Sequence, residues 1–268
     1  MGPTEEEIAR WGKAAYPTLL LPPTYSTEAE ALRKAAQARD WNIHRVLRCQ
    51  TPFTAGPIAV HGPLPFCDSV ASRMMLGLLD PPDDWLGRLP QHFLLRDLWV
   101  GTVADLHRVK ERSFVKPAND KVFQYGTYER GSDVPVRHIQ DSCPIIVSEV
   151  VAWDLEVRLW ILDRQIVAAE HYRIIGDHEP EDVTRQATAF GQQVLADPSY
   201  DLPSGVVLDV GHIEERGWAV VEANQAYASG IYGEQNHQAI LDVVQRSSDG
   251  LEVVKPEDVK FVRKYLTT

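Results

Sequence analysis

Basic residues, carboxylates and one amide lie on a series of predicted strands in the middle of this 268-residue sequence. Lys116 ends one predicted strand, and Glu149 lies near the end of the next. Two further pairs of polar residues are spaced two apart, which places each pair on one face of a strand. These pairs are Glu156 with Arg158 and Glu222 with Asn224, and Arg173 and Asp209 lie on predicted strands between them.

This order of residue types fits a site for a nucleoside triphosphate and Mg²⁺. Lysine and arginine bind phosphate oxygens, and an arginine fork also suits a carboxylate. Mg²⁺ prefers hard oxygen ligands and shares phosphates, so Asp209, Glu222 and Asn224 are the candidate ligands. An ordinary structural interpretation competes, because Glu156 and Arg158 could form an exposed ion pair worth less than about 1 kcal/mol.

The elements before this region predict a parallel α/β unit. A strand, a helix and another strand follow one another, which is typical of a βαβ arrangement. Apolar runs, breakers and capping residues predict these elements: a short helix from the Thr4–Glu7 capping box, a strand over Tyr16–Leu21, a helix over 28–39 capped by Thr27, strands over Ile43–Leu47 and Ile58–His61, and a helix over Asp68–Leu79 that Pro81 and Pro82 end.

The elements that carry the polar residues are mostly predicted strands. Asp163 and Arg164 are expected to form a tight turn between two alternating strands, which predicts a hairpin. The predicted elements are strands over Ser113–Lys116, Ile145–Val151, Glu156–Leu162 and Ile166–Tyr172, a helix over Val183–Ala196, a strand pair over Val206–Val210 and Trp218–Glu222, and helices near Glu234–Gln245 and Glu257–Tyr265.

Five motifs in this order resemble those of the ATP-grasp superfamily. They are Phe114-Val115-Lys116-Pro117, Ser148-Glu149-Val150-Val151, the hairpin formed by DLEVRLWI (154–161) and IVAAEHYR (166–173), VVLDV (206–210), and Val221-Glu222-Ala223-Asn224. The two arginines, the lysine and the segment from Asn224 to Tyr232 are similar to the ATP-grasp clade named for two arginines and one lysine. That clade contains predicted amide or peptide ligases.

The resemblance implies a role for each site residue. Lys116 would bind the nucleotide, Glu149 and Val151 would lie at the hinge that receives adenine and ribose, and Glu156 would complete the cofactor site. Arg158 and Arg173 would be the catalytic residues. The glycine-rich loop usual after the lysine strand is absent, and Lys121 would supply a phosphate contact in its place.

The resemblance further implies an α/β chain, with α+β character in its C-terminal part. An α/β domain at residues 1–100 would precede an ATP-grasp domain at residues 101–268, split into two subdomains near residue 148. The expected activity is an ATP- and Mg²⁺-dependent ligase that joins a small-molecule or peptide carboxylate to an amine through an acylphosphate. Two alternatives stay open: an ATP-grasp phosphotransferase, and a nucleotide-binding module without turnover.

Composition narrows the possible partners. The formal net charge of −11 disfavours binding of nucleic acid, which needs clustered positive charge. No apolar run approaches the roughly 20 residues that span a bilayer, and no signal peptide is evident, so we expect a cytoplasmic protein without membrane contact. Three widely spaced cysteines give little support for a disulfide framework or a zinc site. The oligomeric state is not predicted.

Overall fold

A computed structural model describes residues 15–47, 52, 54–120, 122–233 and 236–264. The predicted helix after Thr4, and the residues Cys49 and Lys121, lie outside the described residues. The helices and strands follow in this order: β1 (Thr18–Leu21), α1 (Thr27–Gln37), β2 (Asn42–Arg45), β3 (Ile58–Val60), α2 (Leu64–Met74), α3 (Trp85–Arg88), α4 (Gln91–Leu94), β4 (Leu98–Thr102), β5 (Ser113–Pro117), β6 (Gly126–Tyr128), β7 (Pro144–Ser148), β8 (Trp153–Leu162), β9 (Gln165–Ile174), α5 (Pro180–Ala196), β10 (Gly205–Ile213), β11 (Gly217–Asn224) and α6 (His237–Arg246).

The N-terminal part confirms the predicted parallel α/β unit. Its three-stranded sheet has the order β2-β1-β3, and β1 pairs in parallel with both neighbours. All four residues of β1 are buried, which explains its continuous apolar run. The cap prediction was off by one residue, because Ser26 and not Thr27 is the N-cap. The Ser26 hydroxyl accepts a hydrogen bond from the Ala29 amide at 3.1 Å, and Thr27 already has helical geometry.

Two predicted helices were only partly correct, and the two segments concerned pair with each other. The predicted helix over 68–79 instead spans Leu64–Met74 and ends because Met75 adopts a left-handed conformation with φ of 53°. The residues after it run extended and bond to the C-terminal segment: Leu76 bridges Gly250, and Leu79 bridges Val262. That pairing leaves only 3₁₀ turns at Leu251–Val253 and Pro256–Phe261 in the described part of the C-terminal segment, where a helix over 257–265 was predicted.

Two antiparallel four-stranded sheets form the rest of the core. One has the order β4-β7-β5-β6, and the other has the order β11-β10-β8-β9. The predicted hairpin is confirmed between β8 and β9. Its turn residues Asp163 and Arg164 have φ of 49° and 63°, as a two-residue turn that follows the twist of its strands requires. The domain boundary predicted at residue 100 falls inside β4 and stays a prediction.

Alternation along β8 separates the core from the pocket. Leu155, Val157 and Leu159 face α5, whereas Trp160 packs in a different cluster with residues of α6. Arg158 and Glu156 continue the face of Trp160 beyond the end of that apolar cluster, because side chains two apart share a face. The pattern that builds the core therefore also directs these polar side chains into one cavity. In the described ranges, no helix is long and apolar enough to cross a membrane.

Candidate nucleotide and metal site

A cavity of about 650 Å³ lies between the two four-stranded sheets. This volume is within the usual range for ligand pockets. All the sequence-predicted site residues that the structure describes line it: Lys116, Glu149, Val151, Glu156, Arg158, Arg173, Asp209, Glu222 and Asn224. The position of Lys121 is not among the described residues, so its predicted phosphate contact stays a prediction.

Two carboxylates and an amide meet on the paired strands β10 and β11. Asp209 and Glu222 are register partners, and Asn224 shares the face of Glu222. The Asn224 side-chain amide donates to an Asp209 oxygen at 3.0 Å and to a Glu222 oxygen at 2.7 Å. Two carboxylates and the side-chain amide of Asn224 thus meet at one point of the sheet.

Two cations neutralise this cluster from different sides. Lys116, on the opposing sheet, forms an ion pair with Glu222. Arg158, on β8, makes a bidentate contact with Asp209 at 2.9 and 2.7 Å and also donates to the Gly230 carbonyl at 2.9 Å. The Arg158 and Asp209 side chains are only 8% and 1% exposed, so their pairing takes place away from water.

The two carboxylates have opposite pKa shifts. Burial alone would raise the pKa of Glu222, but the charge of Lys116 and the Asn224 amide outweigh it and lower that pKa to about 2. For Asp209, burial is the dominant effect and raises the pKa despite the Arg158 guanidinium. The pKa of Glu222 is lowered because its carboxylate forms an ion pair with Lys116. Glu222 is therefore ionised throughout the neutral pH range.

Arg173 lies at the rim of the cavity, opposite Glu156 in the hairpin register. Its Nε donates to the Trp153 carbonyl at 2.7 Å and lies 3.6 Å from a Glu156 oxygen. Glu156 also accepts a hydrogen bond from the Tyr172 hydroxyl at 3.1 Å. Burial raises the pKa of Glu156. Among the described residues, Glu156 therefore pairs with Arg173 across the hairpin and forms no ion pair with Arg158.

An aromatic pair separates the buried arginine from the rim. The Tyr172 and Tyr232 rings have centroids 5.0 Å apart. The Arg158 guanidinium carbon lies 5.7 Å from the first centroid and 5.1 Å from the second, within the range of cation–π contacts. Tyr232 is half exposed, so this pair borders the solvent side of the cavity.

The strand before the predicted hinge is shorter than expected, and the role of Glu149 toward adenine and ribose stays a prediction. β7 ends at Ser148, before the Val151 end that was predicted, and the Glu149 amide still donates to the Asp97 carbonyl at 2.8 Å in the register of β4 and β7. The Glu149 carboxylate binds Arg216 at 2.7 and 3.0 Å, and this guanidinium lowers the pKa of Glu149. Val151 still lines the cavity beside it.

Arg96 is a buried residue of the cavity wall that sequence reasoning missed. Its guanidinium donates to the carbonyls of Val220 at 2.7 Å, Val221 at 3.1 Å and Leu94 at 3.1 Å, and it lies 5.0 Å from the Trp153 ring. Burial lowers its pKa to about 10. The only sequence signal is an arginine within an apolar run, because its main partners are backbone groups of β11 far along the chain.

The family comparison agrees with this geometry. Residues 93–243 match the model of the ATP-grasp domain, family 2 of the clade named for two arginines and one lysine. The chain belongs to this ATP-grasp family. The matched range contains every site residue discussed above, and it confirms the resemblance drawn from the sequence motifs.

Among solved structures, the match to D-cycloserine synthetase DcsG supports the ATP-grasp fold. Its TM-score is 0.55 at 13% identity, over 85% of this chain and 98% of that chain. A RimK domain ATP-grasp protein from Sphaerobacter thermophilus DSM 20745 matches with a TM-score of 0.49 at 14% identity, over 86% and 98%. D-alanine–D-alanine ligase from Bacillus anthracis, complexed with ATP, gives 0.49 at 12% identity, over 87% and 96%. Among curated protein sequences, none matches this ATP-grasp chain significantly.

Proposed function

We propose that this ATP-grasp protein is an ATP- and Mg²⁺-dependent carboxylate–amine ligase that acts through an acylphosphate. The observation that carries the proposal is the convergence of Lys116, Arg158, Asp209, Glu222 and Asn224 in one cavity between two sheets. In this proposal the α/β part up to residue 100 precedes the catalytic part, which divides near residue 148. The substrates are small molecules or peptides, and the protein acts in the cytoplasm.

The nucleotide would lie between the sheets with its base at the apolar end. Leu98 and Phe114 line that end, because both pair in register with Ser148, which directly precedes the hinge residue Glu149. Lys116 would bind phosphate oxygens from the opposite sheet, as an ammonium group does in many phosphate sites. Because Lys116 pairs with Glu222 in the free protein, binding of a phosphate would exchange one anionic partner for another.

The donor set fits Mg²⁺. Two carboxylates and an amide are hard oxygen donors, and Mg²⁺ typically takes one or two carboxylates together with phosphates. Asp209, Glu222 and Asn224 would hold the ion, and when bound it would neutralise charge on the phosphate oxygens. In the part of the chain that the structure describes, no cluster of three or more His, Cys, Asp or Glu side chains offers another metal site.

The arginines would serve the transferred group. A substrate carboxylate oxygen attacks the γ-phosphorus, the bond to the bridging oxygen breaks, and ADP leaves. An amine then attacks the acyl carbon, loses a proton, and inorganic phosphate leaves. Arg158 is fixed by Asp209 and lies close to the metal ligands, so it suits the migrating phosphoryl group. Arg173 is 48% exposed at the rim, where it suits an incoming carboxylate.

The test is a product analysis. The full chain is incubated with ATP, Mg²⁺ and mixed acids and amines, and nucleotides are separated by chromatography. We expect ADP and phosphate, and a hydroxamate when hydroxylamine replaces the amine. Glu222→Gln serves as the matched control that removes the charge of one proposed metal-binding carboxylate with little change in size. AMP as the stoichiometric product would overturn the acylphosphate route. A phosphorylated hydroxyl acceptor would identify a phosphotransferase, and ATP binding without any product would identify a binding module.

A further inference from the structure

Arg263 is partly buried in a network of three carboxylates, and it lies beyond the family-matched residues 93–243. Its side chain is 15% exposed. Its guanidinium contacts Asp68 at 2.7 Å, Asp80 at 2.8 Å and Asp120 at 2.9 Å. Three separate segments of the chain therefore meet at one cation.

Contacts with α2, with the segment after it and with the turn after β11 hold this network in place. The Arg263 amide donates to the Leu78 carbonyl at 2.7 Å, which fixes the C-terminal segment against the extended segment after α2. Asp68 lies on α2 itself. The Tyr227 hydroxyl donates to Asp80 at 2.5 Å, so the buried turn after β11 joins the same network. These contacts give Arg263 a rigid support.

Asp120 is the one of these carboxylates that also lines the candidate nucleotide cavity. It follows the strand of Lys116, in the place where the usual glycine-rich loop is absent. Its neighbour Asn119 is held as well: the Asn119 amide donates to the Pro81 carbonyl at 2.9 Å and to Asp83 at 2.6 Å. Side-chain contacts, and not glycine backbone, thus fix the described part of this loop.

We infer that Arg263 is a positioning residue that holds the Asn119–Asp120 wall of the nucleotide cavity through Asp120. The inference rests on the proposed nucleotide site. It assigns to the C-terminal segment a function in nucleotide binding: the segment orders the loop beside Lys116, at the phosphate end of the cavity. Because the base would lie at the other end, Arg263 affects the triphosphate and leaves binding of the nucleoside unaffected.

The experiment compares variants of the full chain by calorimetric titration with MgATP and with adenosine. We expect Arg263→Gln and Asp120→Ala each to weaken MgATP binding by roughly tenfold. The double variant should be no weaker than either single variant, because both changes remove the same tether. Adenosine affinity should stay within about twofold of wild type for all variants. Asp68→Ala is the matched control, since it removes another carboxylate from Arg263 without touching the cavity wall, and it should bind MgATP as wild type does.

Several outcomes would overturn the inference. One is wild-type MgATP affinity in Asp120→Ala, which remains decisive if Arg263→Gln does not fold. Additive losses in the double variant would show that Asp120 and Arg263 act independently. An equal loss in Asp68→Ala, or a parallel loss of adenosine affinity, would show a general effect on folding. Failure of the wild-type chain to bind MgATP would instead refute the proposed nucleotide site.

Discussion

Removal of the Arg158 guanidinium should cost more stability than removal of the whole ion pair. In Arg158→Met the Asp209 carboxylate, 1% exposed, keeps only the Asn224 amide as a described partner. Loss of one partner of a buried pair costs about 3–5 kcal/mol, because the other charge stays desolvated. Asp209→Asn should cost roughly 3 kcal/mol for the converse reason, since Arg158 then keeps its charge but loses its carboxylate partner.

The double variant Arg158→Met/Asp209→Asn separates the attraction between the two charges from the cost of their desolvation. Replacement of a buried pair by neutral groups of similar volume is often neutral for stability, so the double variant should recover most of the loss. If the double variant loses about 1 kcal/mol, the coupling energy between the two sites should reach roughly 5–7 kcal/mol, well above that of an exposed pair. Urea unfolding followed by fluorescence and circular dichroism provides the free energies, with Arg185→Met as the exposed control, since its pair with Asp182 is largely solvated.

Dependence on pH gives a second readout of the same effect. Burial already raises the pKa of Asp209, and loss of Arg158 raises it further. A carboxyl group with a raised pKa favours the folded state at low pH and loses that contribution as the pH rises through its folded pKa. The loss in free energy of unfolding caused by Arg158→Met should therefore be smaller at pH 5 than at pH 8. A loss of less than about 1 kcal/mol in Arg158→Met would refute the predicted energy of the buried pair. A double variant as unstable as the single variants would refute it as well.

Further predictions concern four other residues of the cavity. The pKa of Glu222 is lowered to about 2 from a usual 4.5. Its ionised form therefore stabilises the folded state above pH 4.5, and this stabilisation is lost as the pH falls toward 2. Acid titration of unfolding should show that wild type loses roughly 3 kcal/mol more than Glu222→Gln over that window. Lys116→Ala should weaken MgATP binding by about 10–100-fold in calorimetry, whereas Arg173→Ala should mainly lower kcat, and an unchanged kcat would exclude its catalytic role. Arg96→Met leaves the carbonyls of Val220 and Val221 without their donor and should lower the free energy of unfolding by about 2–4 kcal/mol in urea.

Local periodicity was sufficient to place most site residues on their elements. The hairpin of β8 and β9 was predictable because both strands alternate and the connection is short. The spacing of Glu222 and Asn224 placed both on one face, and the structure shows their side chains in contact at 2.7 Å. Residues on one strand share a face whatever the surrounding fold, so this information is contained in the local sequence.

Pairing between distant segments was not predictable in the same way. Spacing places Arg158 on a face of β8, but it does not show that β10 lies beside that strand and brings Asp209 into contact. Spacing supported a pair between Glu156 and Arg158 equally well, whereas the register places Glu156 opposite Arg173. Arg96 was missed for the same reason, because its partners are backbone carbonyls, which have no residue type to recognise.

The two partly correct helix predictions show a related limit. Residues 76–79 are largely apolar and follow a helical pattern, and either a helix or an extended buried strand satisfies such a short run. The outcome depended on Met75, which turns left-handed and sends the chain toward the C-terminal segment. Leu76, Leu78 and Leu79 are then buried where that segment pairs with them. A partner far along the chain therefore decided the conformation of both segments.

The pairing within the free site bears on how its ligands would enter. In the described structure each inner carboxylate is paired with a cation: Lys116 with Glu222, and Arg158 with Asp209. A nucleotide that takes Lys116 for its phosphates would leave Glu222 without its cation, and this is costly for a partly buried carboxylate. A metal ion that binds Glu222 without nucleotide would likewise displace the ammonium of Lys116 into an unpaired state. Only joint entry would keep every charge paired, because the phosphates would take Lys116 while Mg²⁺ would take Glu222. If the proposed nucleotide site is correct, the contact between Lys116 and Glu222, across the gap between the two sheets, would therefore couple the binding of Mg²⁺ to the binding of ATP.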